Sequence, residues 1–434
     1  MKYLNKLKNI VSKKLGSGSE GTIFRNMVKL VTGDGIARVI GLATTPIITR
    51  IYLPEHWGVL SVFIAIVSII APLATLRYST AIPLPKNDGL ALNLVVLSFS
   101  ILLVSTSLTI LVFAVFSQQI LSLFSMEQLI PYWWLIPIAF ASTGSYELLS
   151  QWTVRKKEFT LLGITKVSQK IIGASTKIML GLLAMKPLGL LVGQIFSQAG
   201  GIFSLAKHFK NGYNSSSKQI RKNRVIFLSK WYSGFPKYRV PSQFLLILSG
   251  KAPLLFFAWK YNAEVTGQIG LALMMLSLPI TLIGTSTGKA FYAEIAELGK
   301  KNAKKIYTIT IRIIGKLSLF SFIPFLAILI LGPWLFQNLF GEAWREAGVF
   351  ARYLSIYLIF QFVYSPISEG IFNVFEKQSL VLAVEVSRVS ITFLVFLMAY
   401  LIDAPPNFTL ILYSLGLTLH YSVSTIILLN IIKK

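Results

Sequence analysis

The sequence predicts an all-α membrane protein with about twelve transmembrane helices, arranged as two six-helix bundles. Three observations predict this fold class: an apolar composition, a series of apolar segments of bilayer-spanning length, and an internal repeat. Of the 434 residues, 54% are hydrophobic and 13% are charged. This composition, with a mean hydropathy of +0.67, is too apolar for a soluble domain of this size.

The apolar segments have the length of transmembrane helices, because about 20 helical residues cross a hydrocarbon core about 30 Å thick. Helices are expected because lipid cannot hydrogen-bond an open backbone, and the alternating pattern of barrel strands is absent from the sequence. We predict twelve spans: residues 26–51, 57–76, 91–116, 129–152, 161–185, 187–206, 240–259, 265–288, 317–340, 347–371, 378–401 and 408–431.

The basic residues predict the orientation of these spans, because Lys and Arg are concentrated in cytoplasmic loops. With the N-terminus inside, the inner segments, counted with Lys29, hold 31 of the 42 Lys and Arg. The outer loops hold four: Arg50, Lys186, Lys260 and Arg345. Both termini are therefore predicted to be cytoplasmic. The chain has a net charge of +26, and its basic residues lie mainly between apolar runs. This distribution favours anionic lipids as partners and excludes nucleic acid.

An internal repeat divides the chain into two halves. Tyr52, Glu55 and Gly58 recur as Tyr261, Glu264 and Gly267, and Ala81 recurs as Ala290, each at the same shift. Six helices per repeat predict two halves with the same orientation, related by an axis along the membrane normal. The predicted domains are a basic cytoplasmic segment (1–24), an N-terminal bundle (25–207), a basic cytoplasmic linker (208–239) and a C-terminal bundle (240–434).

Cations inside the predicted spans are the candidate site residues, because a charge in hydrocarbon costs at least a few kcal/mol and usually faces a cavity or a partner. Lys166, Lys170 and Lys177 fall within an arc of about 40° on one helix. Three further cations each lie about 15 to 18 Å deep: Arg38, Lys251 and Arg388. These six residues predict a cationic cavity that binds an anionic substrate.

The carboxylates in the spans offer only partial compensation. Asp34 can pair with Arg38 at i,i+4, and Glu385 can pair with Arg388 at i,i+3. Glu147 has no local partner in the sequence. These three acids are the candidates for charge pairing or for energy coupling, and their number is too small to neutralise the cations.

The sequence carries no sign of catalysis or of a bound cofactor. The chain has no Cys, and its three His are too scattered to predict a metal site. Gly16, Gly18 and Gly21 match a dinucleotide fingerprint, but no strand precedes them, so a flexible linker is the better interpretation. No enzyme activity, metal or cofactor is predicted.

Three segments resemble a known family. The first is TTPIITRIYLPEHWGVLSVFIAIVSIIAPLATLRYSTAIPLPKND, and FPKYRVPSQFLLILSGKAPLLFF and SLPITLIGTSTGKAFYAE begin the second half. The first segment carries six characteristic residues: Pro46, Arg50, Pro54, Gly58, Arg77 and Ala81. Over residues 24–434 the chain resembles Wzx-type polysaccharide flippases of the multidrug/oligosaccharidyl-lipid/polysaccharide exporter (MOP) superfamily, which also contains the MATE transporters.

This resemblance implies a V-shaped fold of two six-helix bundles around a central cavity, in the inner or plasma membrane of a bacterium or archaeon. It implies flipping of a polyprenyl-diphosphate-linked oligosaccharide for polysaccharide biosynthesis. The implied partners are that glycan lipid, a coupling proton or sodium ion, and polysaccharide polymerase and chain-length proteins. Proton-coupled members place an acid in the first helix, and Asp34 is similar in position.

Two other functions stay open at this point. A membrane glycan polymerase or ligase would also be polytopic, although the outer loops here are short and contain no evident catalytic pair. A drug or metabolite antiporter of the same superfamily is the second alternative. Exporters of organic cations need acidic cavities, whereas this sequence predicts a basic one.

The predicted topology can be tested because the chain contains no Cys. We expect Ser216→Cys to be shielded from an impermeant thiol reagent in intact cells, and Asn407→Cys to react, because only the second lies in an outer loop. Labelling is measured as a mass shift on a gel. The reverse pattern would invert the topology.

Overall fold

The computed structural model describes residues 19–433. Side chains are described in this range except at residues 19–31, 211–212, 214–217, 282, 285–286 and 378. Residues 1–18 lie outside the described residues. They include most of the basic segment and of the glycine linker predicted near the N-terminus. Residues 19–24, the end of that predicted segment, belong to the first helix.

Every regular secondary-structure element of the described residues is a helix, which confirms the predicted fold class. The fifteen α-helices of this part of the chain are α1 (Ser19–Ile51), α2 (Pro54–Ile70), α3 (Asp88–Ser122), α4 (Leu135–Arg155), α5 (Phe159–Leu182), α6 (Leu188–Ala199), α7 (Ile202–Ser216), α8 (Lys222–Trp231), α9 (Val240–Lys260), α10 (Ala263–Pro279), α11 (Thr285–Leu298), α12 (Ala303–Phe340), α13 (Arg345–Val374), α14 (Gln378–Leu401) and α15 (Pro406–Lys433).

Each predicted span coincides with one helix or with two consecutive helices. Eight described segments are long and apolar enough to cross a membrane: α2, α3, α6 with α7, α9, α12, α13, α14 and α15, with their flanking turns. The other predicted spans are α1, α4, α5 and the pair α10 and α11. Helices α1, α4 and α5 carry the charged residues that lie within the predicted spans of the first half, which makes these spans less apolar than their neighbours.

Three predicted boundaries differ from the observed ones. The span 187–206 is divided at Gly200, the residue after the end of α6, and Gly201 has a φ of +118° that favours glycine. A π turn at Ile280–Gly284 separates α10 from α11. Helix α12 begins at Ala303, well before residue 317, because a basic helical stretch precedes its apolar part. Hydropathy detects only the apolar part of such a helix.

The helices form two compact units. Unit 1 contains Phe63–Ile120, Gln128–Leu248 and the described residues up to Ile51. Unit 2 contains Tyr52–Val62, Leu121–Glu127 and the described chain from Ser249 onward. The linker predicted over 208–239 therefore belongs to unit 1. The division into bundles at residues 207 and 240 stays a prediction.

Unit 1 is built around close helix contacts that glycines permit. Helix α1 packs along α5, and a Cβ added to Gly33 would lie 2.5 Å from the Cα of Gly163. Helix α5 also packs on α6, where a Cβ on Gly173 would lie 2.5 Å from the Cβ of Ser197. Backbones approach this closely only where side chains are absent or small.

Unit 2 also contains a close glycine contact between two helices, α12 and α13. A Cβ on Gly348 would lie 2.3 Å from the carbonyl oxygen of Gly332. Helix α10 packs on the part of α2 that belongs to this unit, where a Cβ on Gly270 would lie 2.4 Å from the Oγ of Ser61. These helices therefore lie at the short end of helix–helix separations.

The repeat-related glycines Gly58 and Gly267 make reciprocal contacts within unit 2. A Cβ on Gly58 would lie 1.9 Å from the carbonyl oxygen of Ala263, and a Cβ on Gly267 would lie 1.8 Å from that of Pro54. Any larger residue at either position would require the two helices to separate.

The α1–α5 contact generates a prediction with a matched control. We expect Gly33→Ala to lower the free energy of unfolding by about 1–3 kcal/mol, because the added methyl group overlaps the α5 backbone. Gly35→Ala should leave stability unchanged or raise it by about 1 kcal/mol, since a Cβ there meets nothing within 4 Å and Ala favours a helix. Thermal unfolding in detergent measures both. Equal shifts for the two variants would contradict the close contact.

Candidate functional site

The lysine face of α5 is the centre of the candidate site in unit 1. We use this name for Lys166, Lys170 and Lys177, which lie within about 40° of one another around the helix. Ile164 and Ile171 lie on roughly the opposite side of α5, and both are exposed. The lysines therefore point away from the most exposed apolar surface of their helix.

Helix α1 brings an ion pair to the same region. The Nε of Arg38 lies 2.7 Å from the Oδ2 of Asp34, in the i,i+4 geometry that their spacing allows. Lys170 lies against this helix, since a Cβ on Gly41 would be 4.0 Å from the Cδ of Lys170. The close contact at Gly33 sets the spacing between the two helices. Asp34, Arg38 and Lys170 thus share one interhelical region.

Two of the lysines have identified neutral partners. The Nζ of Lys166 lies 5.1 Å from the ring centroid of Tyr146 on α4, within the range of a cation–π interaction. The Nζ of Lys177 donates a hydrogen bond of 2.9 Å to the Oε1 of Gln194 on α6. Lys166 and Lys177 are half-buried, whereas Lys170 is exposed. None of these neutral partners removes the positive charge.

The formal charge of this cluster is positive. Arg38, Lys166 and Lys170 lie near one carboxylate, that of Asp34, and Lys177 adds a fourth cation beside Lys170. Ammonium and guanidinium groups donate hydrogen bonds and accept none, so they suit an anionic ligand with several acceptor oxygens. Among the described residues, no three His, Asp or Glu side chains are placed to hold a metal ion.

Glu147 has a partner that the sequence did not reveal. Its Oε1 accepts hydrogen bonds from the Nη1 of Arg77 at 2.9 Å and from the Oγ of Ser79 at 3.1 Å. Arg77 is distant in sequence and has a left-handed backbone, with φ of +61°. Local spacing could not predict this pair. Glu147 is therefore neutralised at its own site and offers no charge to the lysine face.

Unit 2 contains a second, smaller cluster around Arg388. Its Nη2 lies 2.6 Å from the Oε2 of Glu385 and 3.3 Å from the Oγ of Ser249 on α9. Lys251 follows Ser249 by two residues, about 200° around α9. Ser249 faces Arg388, and Lys251 therefore lies on a different face of α9.

Four tyrosines and His420 also belong to this cluster, and the sequence analysis missed them. The rings of Tyr357 and Tyr413 are 5.6 Å apart, and those of Tyr364 and Tyr421 are also 5.6 Å apart. The Nδ1 of His420 lies 3.2 Å from the Oγ of Ser387, and its Nε2 is buried without a hydrogen-bond partner. The near-heptad spacing of the tyrosines on α13 and α15 is the signal that could have revealed them.

A cavity of about 480 Å³ lies elsewhere in unit 1. Its lining is mainly apolar and includes Trp133 and Trp134, together with the hydroxyl groups of Thr106, Ser142 and Ser145. None of the six predicted cations lines this cavity. The structure therefore separates the cationic residues of unit 1 from its apolar cavity.

The fold is similar to solved structures of MOP transporters. The lipid II flippase MurJ in an inward closed conformation has a TM-score of 0.69 and 14% identity, over 92% of this chain and 87% of that one. An inward-facing multidrug resistance MATE transporter has a TM-score of 0.62 and 13% identity, over 93% and 95%. A Vibrio cholerae MATE transporter has a TM-score of 0.56 and 13% identity, over 94% and 95%. At these identities the similarity establishes the fold.

Fold and composition together define a multi-pass membrane protein with the fold of the MOP transporters, which is the fold that the resemblance described from the sequence implies. Within that class, the chain belongs to the family described as polysaccharide biosynthesis protein, whose model matches residues 47–349. No curated protein is significantly similar in sequence.

Proposed function

We propose that this protein flips polyprenyl-diphosphate-linked oligosaccharide units from the cytoplasmic to the outer leaflet by alternating access through a cationic cavity. The observation that carries the proposal is the lysine face of α5 beside the Asp34–Arg38 pair, a net positive cluster on helices that the sequence predicts to span the membrane. The family assignment supports the same pathway. The six predicted cations are proposed to bind the substrate.

The physical demands of such a substrate match these residues. Extracting a polyprenyl tail from lipid would cost about 0.8 kcal/mol per CH₂, so the tail must stay in the bilayer while the head group crosses. A diphosphate cannot cross hydrocarbon unaided, because desolvating a single ion has an idealised cost of about 20 kcal/mol. Lysine and arginine side chains can replace its water, and tyrosine and serine hydroxyls can bind the sugars.

The two alternative functions have less support. The similar solved structures are transporters and flippases, which favours transport over catalysis. Export of organic cations, as in a drug antiporter, would place a positive ligand beside a net positive cluster, which is repulsive. We propose a polymerase and chain-length proteins as partners, because they would use the flipped glycan.

Removing one cation from each unit tests the proposed substrate site. We expect Lys170→Ala and Arg388→Gln to slow flipping of a lipid-linked glycan in reconstituted vesicles by at least tenfold. Each charge-assisted contact to a phosphate contributes about 1.5–3 kcal/mol. Arg388→Lys should retain part of the activity because it keeps the charge.

The matched control for these variants is Lys304→Ala, which removes an exposed helical lysine at the start of α12. Each variant must also elute as a single species and unfold at the wild-type temperature, so that a folding defect is not scored as a transport defect. Wild-type flipping by Lys170→Ala and Arg388→Gln would overturn the cationic site.

Asp34 is proposed to take part in coupling transport to a proton or sodium gradient. Its carboxylate is 42% exposed although it pairs with Arg38, so an ion could reach it. We expect Asp34→Asn to abolish the response of flipping to an imposed ion gradient while downhill exchange continues. If Arg38→Gln restores activity to Asp34→Asn, or the gradient response is intact, Asp34 serves only to neutralise Arg38.

A further inference from the structure

The linker predicted over 208–239 is strongly basic. With Lys207 at its start, it contains nine Lys and Arg and no Asp or Glu. A nearby acid is Asp88 at the start of α3, whose carboxylate already pairs with Arg155 and Lys156. The positive charge of the linker is therefore uncompensated within its own sequence.

One side of the linker is fixed to unit 1. Leu228 of α8 is 3% exposed and packs in a core cluster with Tyr78 and Trp152. The hydroxyl of Tyr78 donates a hydrogen bond of 2.7 Å to the carbonyl oxygen of Ser229. Asn93 of α3 accepts a hydrogen bond of 3.0 Å from the backbone N–H of Arg221. Helix α8 is thus held in a defined orientation.

The outer side of α8 presents an aromatic pair. Phe227 and Trp231 stack with ring centroids 5.6 Å apart, and they are 56% and 70% exposed. At 100° per residue, Arg224 and Lys230 lie about 60° to either side of Phe227. Lys222 is exposed at the start of the same helix. Large apolar groups flanked by cations are the composition of an interfacial helix.

The position of α8 in the chain restricts it to the neighbourhood of the bilayer. The candidate membrane spans on either side are Leu188–Lys210 and Phe235–Lys260, and the second begins only a few residues after Trp231. A helix tethered so closely cannot move far from the membrane surface. Exposed tryptophan is favoured at the headgroup level, and Lys and Arg are attracted to anionic headgroups.

We infer that α8 is a lipid-binding surface, on which Phe227 and Trp231 insert at the level of the headgroups while Lys222, Arg224 and Lys230 bind anionic phospholipid. This surface goes beyond the proposed flipping function, since it does not depend on which substrate crosses the membrane. It anchors the linker, and with it the Asn93 and Tyr78 contacts of unit 1, to one leaflet.

The test uses the full-length protein with a single cysteine, Asn223→Cys, on the exposed side of α8. A spin label at this position is examined in nanodiscs of phosphatidylcholine alone and in nanodiscs containing phosphatidylglycerol. The measured quantity is the ratio of its collisions with oxygen to its collisions with a water-soluble nickel chelate. We expect the ratio to rise at least twofold with phosphatidylglycerol, because the label then lies at the lipid interface.

Two double variants on this background separate the contributions. Lys222→Gln with Lys230→Gln should weaken docking by about 25-fold, since each basic residue contributes about fivefold at an anionic surface, and the ratio should fall to its phosphatidylcholine value. Phe227→Ser with Trp231→Ser should lower the ratio in both lipids. Lys301→Gln with Lys304→Gln, an equal loss of exposed charge elsewhere, should change nothing.

Three outcomes would overturn the inference. The first is a label equally accessible to nickel in both lipids, as expected if α8 binds a soluble protein. The second is an equal effect of the control variant, which would indicate a general effect of surface charge. The third is loss of the phosphatidylglycerol effect when inorganic phosphate is added at constant ionic strength, which would assign the site to free phosphate.

Discussion

The structure depends on one constraint, which is the cost of holding charge away from water. Carboxylates in the predicted membrane spans are neutralised by pairing: Asp34 pairs with Arg38, Glu147 with Arg77 and Glu385 with Arg388. The lysines of α5 are stabilised differently, because their neighbours are an aromatic ring and an amide. Such groups lower the cost of the positive charge without cancelling it. The lysine face therefore keeps more uncompensated positive charge for an incoming anion than the paired cations do.

The two units use different residue types to accommodate charged and polar groups. Unit 1 combines glycine contacts with charged helices, so that α1 and α5 lie close enough to share a polar region. Unit 2 surrounds Arg388 with tyrosines and packs α9 on α14 through the stacked rings of Phe256 and Phe396, 4.3 Å apart. Polar hydroxyls on large rings let this unit bury hydrogen-bonding groups among apolar neighbours.

The sequence predicted the features that depend on short stretches of chain. Hydropathy located the helices, and i,i+4 or i,i+3 spacing located the Asp34–Arg38 and Glu385–Arg388 pairs. It could not predict the Arg77–Glu147 pair, because that contact joins an irregular segment to a distant helix and needs the tertiary fold. The sequence also could not predict that His420 is buried, because its burial depends on the tertiary fold in the same way. Helix α12 was predicted too short because its basic first turns carry no hydropathy signal.

The reciprocal glycine contacts within unit 2 have a two-fold symmetry. Gly58 touches Ala263, and Gly267 touches Pro54, and the repeat shift that relates Gly58 to Gly267 also relates Pro54 to Ala263. Ser61 and Gly270 are equivalent under the same shift and touch each other. These are the contacts of an isologous interface, with its two-fold axis at Ser61 and Gly270. Such geometry is expected of a gene duplication that fused a symmetric homodimer. Within a single chain the two copies can differ, and serine faces glycine at a position where a symmetric homodimer would have to place two identical residues.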